Sequence, residues 1–226
     1  MSKSNIPIPA RLRPGPALAA AGLVAVLAAC GGSGSPAGNT GAPAGSTGTP
    51  AAAGSSAPAG GSSQAPVPAE SNPPGDIPDT TVYVPYQSAA GHLMLKVPEG
   101  WSRQAAPATS TFSSNLNSIS VAWMSMAAAP TVSSVRATTV PALQASALAF
   151  RLQAVKAVSL AAGPAIEITY QVNSPPNAVT GRQYRLVIER FELYRNGRAA
   201  VVALSSAVGS DNVDPWRIVS QSFRWM

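Results

Sequence analysis

A break in composition constrains this 226-residue chain more than any motif in it. From Gly31 to Ala69 it holds only Gly, Ala, Ser, Thr and Pro, apart from Asn39, Gln64 and Val67. All 13 aromatic residues lie at or after Tyr83. A stretch without charges or rings buries too little apolar surface to offset the entropy lost on ordering. The composition therefore predicts a disordered tether over 30–78 and one folded domain over 79–226. Such a coil of about 48 residues reaches roughly 35–40 Å. About 148 residues remain for the domain, a common size for one core. The only cysteine, Cys30, lies outside that span, so the fold must rest on packing without a disulfide.

The N-terminus reads as a leader. Lys3, Arg11 and Arg13 form a basic start, and Ala17–Ala29 is an apolar run of 13 residues. That is the length of a signal-peptide core; a membrane span needs about 20 residues. The run ends in Leu27-Ala28-Ala29-Cys30, which resembles a bacterial lipobox. The resemblance implies cleavage between Ala29 and Cys30, so that 1–29 is a lipoprotein signal peptide. It further implies a diacylglycerol thioether on the Cys30 sulfur and an acyl chain such as palmitate on the new amine. Two chains suffice for stable anchoring, whereas one is marginal. The expected location is thus the outer face of the cell membrane.

Leader removal alters the charge argument. The full chain has 15 basic and 9 acidic residues, a formal +6; without the leader, 12 basic residues remain against 9 acidic, or +3. The basic residues form no run or stripe, so the footprint of a nucleic-acid binder is absent.

Within the domain, alternation dominates. "TVYVPYQ" reads as a first strand with Pro85 marking a sheet edge. "HLMLKV" alternates Leu93, Leu95 and Val97 with His92, Met94 and Lys96, before a turn at Pro98–Trp101. "STFSS" and "NSISVAWM" read as two more strands. A helix is expected from Thr131 to about Ala147, kinked or split before Pro141. "FRLQAVKAVSL" pairs with "AIEITYQV", whose Ile166, Ile168, Tyr170 and Val172 share one face. Asn196-Gly197 is a two-residue hairpin signal, placing Leu193 opposite Ala200 and Phe191 opposite Val202. The apolar phase slips between Ile188 and Phe191, and a bulge near Glu189-Arg190 would reconcile the two halves. A last helix starts with Asp214 as N-cap and Pro215 at its first position, with Trp216, Val219 and Phe223 on one stripe.

Antiparallel strands with helices on the faces make an α+β domain. The segments "GHLMLKVPEGW", "FSSNLNSISV", "AGPAIEITY" and "DNVDPWRIVSQSFRW" resemble those of small lipoproteins of high-GC Gram-positive bacteria with a PsbP-like domain. The resemblance covers about 145 residues of the chain. It implies an α/β/α sandwich around an antiparallel sheet, and binding or assembly roles more often than catalysis.

Candidate chemistry is sparse. His92 is the only histidine, so a Ser-His-Asp hydrolase would have to use it, and no serine sits in a GxSxG elbow. A histidine–cysteine metal site cannot be built from one of each. Glu189 and Glu192 lie on opposite faces of a regular strand, though a bulge would bring them together as a glycosidase-like pair. Arg190 and Arg195 beside them favour ordinary ion pairs. "SDNVD", Ser210–Asp214, has part of a calcium-loop pattern without its glycine or closing glutamate, and helix capping explains both aspartates. Trp101, Trp123, Trp216 and Trp225 read as core anchors, with Trp225 the one placed to touch a partner. No cofactor or metal is expected. The expectation is a lipid-anchored, non-enzymatic binding or accessory module of the envelope, serving a transporter or envelope assembly. The alternative is a small carboxylate-based hydrolase acting on envelope material.

Overall fold

The computed structural model describes residues 64–71 and 75–226. Cys30 and the expected leader lie outside the described residues, so the expected anchor rests on sequence alone. The elements run β1 (Tyr83–Ser88), β2 (Leu93–Pro98), β3 (Ser102–Ala106), β4 (Thr109–Ser114) and β5 (Asn117–Ser125). Then come α1 (Val132–Ala137), α2 (Thr139–Ser146), β6 (Arg151–Leu160), β7 (Gly163–Asn173), β8 (Arg185–Arg195) and β9 (Arg198–Ala207), followed by α3 (Val213–Ser222) and β10 (Arg224–Trp225). Seven strands form one sheet in the order β3-β4-β5-β9-β8-β7-β6, and β1-β2-β10 form a second. Every strand pairing is antiparallel.

The central strands of the large sheet are buried on both faces. On one, Phe112, Ile119, Phe191, Leu193, Val202 and Leu204 pack against Leu93 and Leu95 of the small sheet and Trp216, Val219 and Phe223 from α3 and its end. On the other, Ile166, Ile168, Tyr170 and Ile188 pack under Val135 of α1 and Val140 of α2. Helices thus cover both faces, as the α+β expectation requires. The arrangement also explains the apolar slip in β8. Ile188 belongs to one core and Phe191 and Leu193 to the other, so the strand changes its buried face without changing phase. Its register runs unbroken against β7 and β9. The expected bulge at Glu189-Arg190 is therefore absent, and the irregularity lies in β6 between Leu152 and Ala154.

Local signals account for most boundaries. Thr131 caps α1: its Oγ1 accepts from the Ser134 N–H at 3.0 Å, and Ser134 Oγ accepts from the Thr131 N–H at 2.9 Å. The helical segment breaks at Thr138, leaving Pro141 in the first turn of α2, where its missing N–H costs no helical bond. Asn196 and Gly197 adopt φ of 50° and 82°, closing the hairpin with Arg195 opposite Arg198. Leu193 faces Ala200 and Phe191 faces Val202, as expected.

Three details differ from expectation. The N-cap of α3 is Asn212; Asp214 sits inside the first turn and pairs with Arg217 at 2.9 Å. Arg224 and Trp225, expected in that helix, turn out of it at Phe223 and pair with Met94 and Leu93 of β2. The end of the expected tether also reaches the domain. Ile77 is buried, and its N–H donates to Asn212 Oδ1 at 2.8 Å. Further upstream, Val67 N–H donates to Asn173 Oδ1 at 3.0 Å, and Arg182 meets Glu70 at 2.6 Å. Composition sets the boundary at Asp79 because Ile77 is one apolar residue among prolines and glycines.

Candidate functional site

β10 determines where a site can form. By pairing with β2 it brings Trp225 and Met226 beside the turn that opens β2, where Met226 N–H donates to the His92 carbonyl at 2.8 Å. The β8–β9 hairpin tip reaches the same place. A cleft of about 180 Å³ results, lined by His92, Arg195, Asn196, Arg198, Trp225 and Met226. A neighbouring cleft of about 280 Å³ is lined by Gly91, Trp123, Met124 and Ser125, and Arg198 borders both.

The register explains this convergence. Trp123 pairs with Ala200, and Ser125 pairs with Arg198. Trp123, Arg195 and Arg198 accordingly share the face of the large sheet on which the small sheet packs. Gly91 lets the layers approach: a Cβ there would lie 2.8 Å from Trp123 Cδ2. The next residue, His92, holds φ of 50°, a conformation uncommon outside glycine, and its side chain is exposed. It precedes β2 and is not one of its strand residues.

Arg195 and Arg198 are both exposed and face each other directly. The ion pairs among the described residues involve neither of them. Among the described residues, no acidic side chain lines either cleft. Trp225 is half buried and stands edge-on to Phe223 with ring centroids 5.2 Å apart. Of the other tryptophans, Trp216 is buried and meets Trp101 edge-on at 6.4 Å, so these two are core anchors.

The carboxylates distribute differently from the glycosidase-like pair. Glu189 and Glu192 stay on opposite faces, as a regular strand dictates. Glu192 is buried and bonded to Arg190 Nε at 3.1 Å, an ion pair inside the domain and not on its surface. Glu189 instead shares a face with Glu167 of β7, which pairs with Lys156 at 3.1 Å. They line a groove of about 350 Å³ under α3, with Phe191, Arg217 and Gln221 nearby. Burial raises the Glu189 carboxyl above the ordinary carboxylate range; the Glu167 charge adds to this and Lys156 opposes it.

The Ser210–Asp214 segment does structural work. Asn212 Oδ1 accepts from Ile77, and its Nδ2 donates to the Gly75 carbonyl at 2.9 Å and to Asn117 Oδ1 at 3.1 Å. Among the described residues, no group of three or more His, Cys, Asp or Glu could hold a metal ion. At the far end of the large sheet, Arg185 is buried without a carboxylate; its Nη1 donates to the Ala149 carbonyl at 2.8 Å and to Asn173 Oδ1 at 3.1 Å. Burial, reinforced by Arg151, lowers its pKa.

No protein-family model matches the chain, and no curated protein matches its sequence. Among solved structures it is similar to PsbP (CyanoP) of Synechocystis, with TM-score 0.44 and 16% identity over 67% of this chain and 98% of that one. The Ran-binding protein Mog1p of Saccharomyces cerevisiae has TM-score 0.44 and 8% identity over 65% of this chain and 96% of that one. A Bacteroides thetaiotaomicron protein has TM-score 0.41 and 8% identity over 63% of this chain, which spans about half (48%) of that protein's length.

Proposed function

We propose that the chain is a PsbP-like lipoprotein, held at the outer face of the cell membrane through Cys30, whose domain is a binding or accessory module of the envelope. It would serve a transporter or an envelope assembly. The observation that carries this reading is the cleft at the β8–β9 tip. Cations and tryptophans converge there on elements far apart in sequence, and among the described residues no side chain lining the cleft with His92 is suited to pass it a proton. That arrangement suits recognition better than turnover.

A second reading has one observation in its favour. Glu189 and Glu167 share a groove, and the raised Glu189 carboxyl is what a general acid needs. A carboxylate-based hydrolase acting on envelope material would use this pair, not Glu189 with Glu192.

Mass spectrometry of the membrane-bound protein tests the anchor. The expected mature chain begins at a diacylglycerol-modified Cys30, and Cys30→Ser should leave a precursor without acyl label. An unmodified Cys30 in the mature chain refutes the anchor. Crosslinking and turnover assays of the lipidated form, comparing wild type with the Glu167→Gln/Glu189→Gln double variant, whose positions lie outside the β8–β9 cleft, separate the two readings. A binder keeps its crosslinked partner, whereas a hydrolase loses turnover.

A further inference from the structure

We infer that the β8–β9 tip and the adjoining β2–β10 end form a membrane-contacting surface that selects anionic lipid headgroups. The inference rests on the envelope location proposed above and adds what this end of the domain touches there.

The cleft carries an excess of positive charge: two guanidiniums line it, and the main-chain carboxylate of Met226 offsets at most one of them. Arg195 and Arg198 stand directly opposite each other on one face, where like charges repel. Neither meets a carboxylate side chain among the described ion pairs, and His92 adds a further nitrogen base to the same cleft. An anion between the two guanidiniums removes that repulsion and gains charge-assisted hydrogen bonds. The cleft, about 180 Å³, holds several water volumes and so admits a phosphate group.

The apolar surroundings of the cleft favour a bilayer over a soluble anion. Beside the arginines, Met226 is 52% exposed and Met124 46% exposed. Trp225 and Trp123 are half buried at the same end. A soluble phosphate ester gains nothing from this apolar rim. A bilayer surface uses both parts: phosphates meet the guanidiniums, while methionine and tryptophan enter the headgroup region.

The test uses the full chain carrying Cys30→Ser, sedimented with phosphatidylcholine vesicles alone or mixed with phosphatidylglycerol. The leader contributes equally to every variant, so differences between variants report the domain. Each arginine at an anionic surface is worth about fivefold in affinity, so Arg195→Gln/Arg198→Gln should weaken binding to the mixed vesicles by about 25-fold. It should change binding to phosphatidylcholine little. Arg136→Gln/Arg151→Gln removes the same charge from exposed positions elsewhere and should retain the wild-type preference. Brominated phosphatidylglycerol should quench tryptophan fluorescence in the Cys30→Ser chain, and adding Trp225→Phe should reduce that quenching. Thermal melts confirm that each variant folds.

Equal losses in the two double variants overturn the inference, as does the absence of a preference for phosphatidylglycerol. Arginine-dependent binding of glycerol 3-phosphate without vesicle preference assigns the cleft to a soluble anion and also overturns it. An unmodified Cys30 defeats the anchor and leaves the vesicle result standing. A vesicle result without charge preference defeats only this inference.

Discussion

Asn212 is the residue on which the entry of the chain into the domain depends, and Asn212→Ala measures that dependence. Its side chain is 2% exposed and joins three partners from distant segments. It accepts from Ile77 N–H at 2.8 Å and donates to the Gly75 carbonyl at 2.9 Å and Asn117 Oδ1 at 3.1 Å. Alanine leaves the Ile77 donor and the Asn117 acceptor without partners. The Gly75 carbonyl keeps a bond from Asn117 Nδ2 at 2.7 Å. Two orphaned buried groups at about 1–3 kcal/mol each give about 2–6 kcal/mol. Gly75 is half buried, so water entering beside it relieves part of that cost, and about 2–4 kcal/mol is expected. For a domain of this size each kcal/mol shifts Tm by about 2–4 °C, so Tm should fall by roughly 5–15 °C. Limited proteolysis should then cut near Gly75 while the rest of the domain stays resistant. Asn212→Asp supplies the control. It keeps the acceptor for Ile77 but sets a carboxylate against the Gly75 carbonyl and Asn117 Oδ1, so it should be at least as destabilised at neutral pH. Acid should restore part of the loss, because the protonated carboxyl regains one donor. A Tm change of Asn212→Ala within about 1 °C would mean that these bonds contribute nothing net, and the argument from buried satisfaction would fail.

Two further perturbations probe the hairpin and the groove. Gly197→Val places a β-branched residue at φ of 82° and should cost about 1–2 kcal/mol in urea unfolding; an unchanged midpoint would refute the two-residue turn. Because the Glu189 carboxyl is raised, the folded state favours its protonated form. Its contribution to stability is therefore present below the unfolded-state pKa and lost as pH rises through the folded-state value. Glu189→Gln should thus be more stable than wild type at neutral pH, with the gap closing as pH falls toward about 4; a gap that is independent of pH would contradict the burial argument.

Much of the fold is legible in the sequence because each signal is local. The alternation of Ile166, Ile168 and Tyr170, the Asn196-Gly197 turn and the Thr131 cap need only their neighbours. The misses share a physical cause. β3 reads Ser-Arg-Gln-Ala-Ala and is exposed throughout, so an edge strand pairing only with β4 carries no apolar alternation. β10 has two residues and exists only because β2 offers an edge. The slip in β8 looks like a bulge because its two cores lie on opposite faces, and sequence alone does not tell one face from the other. The candidate site is legible in pieces: Trp225 reads as a partner contact, and Arg195 lies next to the Asn196-Gly197 turn. Their meeting with His92 depends on the β2–β10 pairing, which joins residues about 130 positions apart.

The strand order carries a consequence for how the domain assembles. β6 to β9 form a meander in which each strand pairs with its sequence neighbour, and β3 to β5 form another. The two meet only along β5 and β9, where paired Ser125 and Arg198 lie 73 positions apart. Closing that distance must precede any gain from the seam, so this step should govern the folding rate while both meanders form quickly. A chain delivered N-terminus first would present β5, carrying Ile119 and Val121, as an open edge until β9 arrives. That interval, and not the native surface, is when this domain should be most prone to aggregate or to need a chaperone.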